Sequence, residues 1–77
     1  MNCFIDTRSA KNYLRAIHEQ TINHYKIVNG ITIKNDKTIS MMVNNFNNII
    51  IDFENTYKEV IGCDELRTYE YQIRNIV

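Results

Sequence analysis

Residues 45–61, NFNNIIIDFENTYKEVI, constrain this chain more than any other stretch, because their apolar members recur where a helix collects them on one side. Phe46, Ile49, Ile50, Phe53, Tyr57, Val60 and Ile61 follow the i, i+3, i+4, i+7 spacing, and Ile51 is the large apolar residue off the stripe. Asn44 or Asn45 can cap the start, and Gly62 stands where a left-handed residue would close the end. The spacing predicts one amphipathic helix, and the rest of the chain must supply the surface that covers its apolar side.

Upstream, residues 2–5 read as a short opening strand, with Asp6, Thr7 or Ser9 as cap for a helix whose apolar side is Ala10, Tyr13, Leu14, Ile17 and Thr21 and which fades near Asn23. In residues 25–43 β-branched residues alternate with polar ones, and Asn29-Gly30 is a turn signal. A three-residue loop ending on a left-handed Gly30, and a second at Asn35-Asp36-Lys37, put Tyr25, Ile27, Ile31, Ile33, Ile39, Met41 and Val43 on one face of a three-stranded meander. The tail from Arg67 or Thr68 onward reads as a strand, since Tyr69, Tyr71 and Ile73 alternate with Glu70, Gln72 and Arg74; the spacing of Leu66, Tyr69, Ile73 and Ile76 suits a helix instead. The expected fold is a single α+β domain over residues 1–77. It has two layers, a three- to five-stranded, mainly antiparallel sheet with two helices packed on one face.

A chain of 77 residues has little core to spare for a deep cleft. The longest purely apolar runs, Met41-Met42-Val43 and Ile49-Ile50-Ile51, are too short to span a bilayer, so no membrane partner is expected. Asp6 and Arg8 precede any apolar run of signal-peptide length, which points to the cytoplasm; Cys3 and Cys63 are there expected as reduced thiols. Formal charge is zero, but residues 1–37 hold six Lys/Arg against three Asp/Glu and residues 38–77 the reverse. The expectation is a basic ridge and an acidic half on separate surfaces.

Candidate chemistry is sparse. Cys3, His18, His24 and Cys63 are zinc-ligand types, but they lack the close Cys pairs of structural zinc sites. A cysteine nucleophile with His18 or His24 and Asp52 would have the right residue types and nothing in the sequence to bring them together. Asp52 and Glu54 point to different sides of one helix, and no phosphate-cradling or HExxH motif is present. No cofactor and no metal is expected. Helix, three strands, helix is also the element order of the double-stranded RNA-binding domain. That family carries a basic cluster at the start of its second helix, where this chain has Asn44, Asn45, Phe46, Asn47 and Asn48.

The expected function is therefore that of a small non-enzymatic binding protein acting on a protein partner as an inhibitor or modulator of a host factor. The Asn- and Ile-rich composition of so short a chain is compatible with a phage or mobile-element accessory protein. Candidate contact residues are the basic stripe Arg8, Lys11 and Arg15 and the tyrosines Tyr69 and Tyr71, tyrosine being favoured at interfaces for its large contact area and polar tip. The alternative is a nucleic-acid-binding regulator using Arg8, Lys11, Arg15, Lys26 and Lys34. A monomer, or a homodimer held by apolar contact, is the expected state, because exposed ion pairs contribute little.

Overall fold

A computed structural model describes residues 3–30 and 37–76. In chain order it has β1 (Phe4–Asp6), α1 (Thr7–Asn29), α2 (Lys37–Thr56), β2 (Val60–Gly62) and α3 (Cys63–Arg74). Asp6 caps α1 by accepting a hydrogen bond from the Ser9 backbone N–H, and Gly30 closes the helix at φ 61°, where a residue without Cβ carries no steric penalty. Asp64 and Glu65 in the first turn of α3 and Arg74 in its last turn oppose the partial charges of the helix ends.

The three helices share one core. α1 contributes Ala10, Leu14 and Ile17, α2 contributes Phe46, Ile50 and Phe53, and α3 contributes Leu66, Tyr69 and Ile73. α2 runs back along α1, so that Lys11 faces Glu54 and His18 meets Phe46. α3 lies against both: the Tyr13 hydroxyl donates to Glu70 at 3.0 Å, and the Tyr69 hydroxyl to Asp52 at 2.8 Å. At one end β1 and β2 pair antiparallel with Ile5 opposite Ile61, both packed against the core, while Phe4 and Val60 face outward. Thr7 anchors the pair by donating its N–H to the Glu59 carbonyl and its hydroxyl to that of Lys58.

The expected three- to five-stranded sheet does not form: among the described residues the only strands are these two short ones. Residues 25–29 and 37–43, expected in the meander, belong to α1 and α2. The remaining meander positions, including Ile31, Ile33 and Lys34, lie outside the described residues. The left-handed Gly30 is found, as a helix C-cap rather than in a hairpin loop. The central helix begins at Lys37 and stops at Thr56, so Val60 and Ile61 sit in β2, and Gly62 is extended at the start of α3 instead of closing α2. The tail is helical. Leu66, Tyr69 and Ile73 form its buried stripe, and burial of that stripe between α1 and α2 outweighs the strand preference of the Thr and Tyr residues.

A second correction concerns the cysteines. Cys3 and Cys63, expected as reduced thiols, are joined in a disulfide, their Cα atoms 5.4 Å apart. The strand pairing brings them together: Phe4 pairs with Gly62, and the Cys63 N–H donates to the Cys3 carbonyl at 2.9 Å.

Candidate functional site

The basic stripe begins at the first turn of α1. Arg8 and Lys11 line a shallow cleft of about 280 Å³ with Thr7, Phe53, Glu54, Tyr57 and Lys58. Lys11 is ion-paired with Glu54. The Lys11 hydrogen bond holds the Glu54 carboxyl below its ordinary pKa, and the positive charges of Lys11, Arg15 and Lys58 add to the effect. The basic ridge is thus interleaved with α2 acid, against the expectation of two separate charged surfaces. On α3, Glu70 accepts from the Tyr13 hydroxyl of α1 and, within its own helix, from the Nε and an Nη of Arg74.

Tyr69 and Tyr71 would share a face of a strand, but in α3 they are two residues apart on a helix and diverge. Tyr69 is buried edge-on to Phe53 and Tyr57, its pKa raised by burial and by the hydrogen bond to Asp52. Tyr71 stands in solvent. Of the five candidate contact residues, Arg8, Lys11 and Arg15 lie on one helix, Tyr71 points away from the core, and Tyr69 is committed to it.

The zinc and nucleophile constellations are not assembled. The cysteine sulfurs are bonded to each other at the strand end. His24 lines an open cleft with Thr21, Tyr25 and Arg74. His18 is wedged on the Phe46 ring at a centroid distance of 4.1 Å, its Nε2 buried without a hydrogen-bond partner.

Burial lowers the His18 pKa below the ordinary 6.5, opposed by the Met42 backbone and the Glu19 charge. The unfolded chain therefore takes up this proton first as pH falls. Stability linked to His18 is full above pH 6.5, declines below it, and levels off once pH passes beneath the folded-state pKa. Thermal unfolding at pH 7.5 and 5.5 checks this: the wild type should lose more stability than His18→Gln over that interval, and equal losses would place the imidazole in water.

Periodicity reading passed over the exposed apolar residues at the far end of the α1–α2 pair. Ile27, Val28 and Met41 are 79%, 65% and 62% exposed. The alternation predicts Ile27 and Met41 on a covered sheet face and Val28 in its loop; a helical period continued past Asn23 for Ile27 and Val28, and begun before Asn44 for Met41, places them on helix surfaces. Among the described residues no group of three or more His, Cys, Asp or Glu could hold a metal ion, and no helix is long and apolar enough to cross a membrane. Comparison with protein-family models, with curated proteins and with solved structures finds no match.

Proposed function

We propose that this chain is a small non-enzymatic binding protein that occupies a surface of a protein partner. The observation that supports it is the exposure of Ile27 and Val28 late in α1 and of Met41 early in α2, large apolar residues whose contact with water association would relieve. The nucleic-acid reading is weakened by the Lys11–Glu54 pair, which offsets positive charge in the stripe meant to meet phosphate. A cytoplasmic site of action would expose the Cys3–Cys63 bond to thiol reductants, whereas an oxidising compartment would preserve it.

Affinity capture from the source cell, with nuclease treatment and at two salt concentrations, tests the reading. A protein retained in fixed stoichiometry after nuclease and at high salt is the expected result. Retained nucleic acid, lost at high salt and on Arg15→Glu, would overturn it in favour of the alternative.

A further inference from the structure

The covalent bond that ties β1 to α3 lies at the surface. Cys3 precedes β1 and Cys63 is the first residue of α3; they are the two cysteines of the chain, so no third thiol of its own can exchange with their bond. The two residues do not stand alike. Cys3 is exposed, whereas Cys63 is half-buried and lines a shallow cleft with Ile5, Tyr13, Leu66, Arg67 and Glu70. Thiol–disulfide exchange proceeds by attack of a thiolate anion on one sulfur, and access and local charge select which. Both point to Cys3. Asp64 and Glu65 follow Cys63 directly, with the Glu65 carboxylate in the space that a Cβ at Gly62 would fill, and their charge repels an anion approaching that side. On the other side Asp6 is turned to its cap hydrogen bonds with the Ser9 N–H and hydroxyl.

The leaving sulfur has a preference as well, because thiolates are stabilised at helix N-termini and beside cations. Cys63 opens the 12-residue α3, whose N-cap Gly62 supplies no side-chain hydrogen bond, and Arg67, one turn on, lines the same cleft. Cys3 lies outside any helix. Asp64 and Glu65 offset part of this advantage for Cys63, while access still favours attack at Cys3. We propose that Cys3 is a site of reversible S-thiolation by a small thiol of the cysteinyl-peptide class. The incoming thiolate forms a bond to Cys3 Sγ, the Cys3–Cys63 bond breaks, and its electron pair leaves with Cys63 Sγ as a thiolate. The incoming sulfur is oxidised to the disulfide level as Cys63 is reduced, so no other oxidant or reductant enters. Attack of Cys63 on the adduct runs the step backward, expels the small thiol and restores the bond. The proposal goes beyond the protein-binding reading and does not rest on it.

The full chain in its disulfide form, treated with glutathione at pH 7.5 and quenched at successive early times with N-ethylmaleimide, tests the assignment. Trypsin separates the two cysteines into residues 1–8 and 59–67, and mass spectrometry reads which sulfur carries which group. Glutathione on residues 1–8 with maleimide on residues 59–67 should exceed the reverse at least about tenfold at the earliest times, and the adduct should form without denaturant. Removing glutathione from an unquenched sample by dialysis should regenerate the bond. Equal or reversed labelling would overturn the choice of Cys3. Exchange seen only in urea would overturn an accessible bond, and a chain in which oxidised glutathione leaves no Cys3–Cys63 bond would overturn the proposal at its start.

Discussion

Replacing both cysteines, as Cys3→Ser with Cys63→Ser, should lower stability by about 4 kcal/mol, the loop-closure entropy expected for a bridge across 60 residues of sequence. The structure gives a reason for the bond to matter beyond the unfolded chain. β1 and β2 have three residues each, and a two-stranded pair of that length is marginal by itself. Without the bond, β1 is held by its short ladder, the two Thr7 hydrogen bonds and the packing of Ile5. Stability of a domain this size is of the order of 4 to 12 kcal/mol, so the variant should be partly unfolded or close to it. Urea unfolding of wild type, double variant and wild type under a thiol reductant measures the effect. A change below about 1 kcal/mol in both comparisons would mean that the bond does not constrain the folded chain.

Phe53→Ala should be comparably severe, costing roughly 3 to 5 kcal/mol, because the ring is fully enclosed and the surrounding helices cannot close over the cavity. Phe53 is 1% exposed, and its ring stands edge-on to Tyr69 at 5.5 Å and tilted to Tyr57 at 6.0 Å. It thus ties α2 to α3 at the position where Tyr69 also reaches Asp52. Phe53→Leu, which keeps most of the volume, should retain much of the lost stability. A cost below 1 kcal/mol for the alanine variant would place the α2 stripe outside the core.

The parts of this fold legible in the sequence are those where one period fits and the other does not. Phe46, Ile50 and Phe53 read as one helix face and are buried as one, and so are Ala10, Leu14 and Ile17. Residues 25–43 satisfy both periods. Tyr25, Ile27 and Ile39, Met41 alternate, but Ile17, Thr21, Tyr25, Val28 and Met42, Phe46, Ile50, Phe53 also step by three and four. Local preference leans to strand, while the decision belongs to the pairing of α1 with α2 and the lid that α3 forms over them. The same ambiguity in the tail turned on whether Leu66, Tyr69 and Ile73 had a partner surface, which depends on contacts distant in sequence. The cysteine pair was hidden for a related reason: its proximity comes from β1 meeting β2 across nearly the whole chain. The basic stripe was legible as a stripe, and its pairing with Glu54 was not, because that requires the register of α2 on α1.

The three-helix fold requires residues 37–43 and 67–74 to be helical, since a meander would turn Met41 inward and a terminal strand would remove α3 from the core. Backbone ¹³Cα chemical shifts measure this residue by residue. The account predicts continuous helical, downfield shifts over Lys37–Thr56 and Cys63–Arg74 and, among the described residues, extended values at Phe4–Asp6 and Val60–Gly62. Upfield, strand-like shifts over residues 38–43 and 68–74 would contradict it.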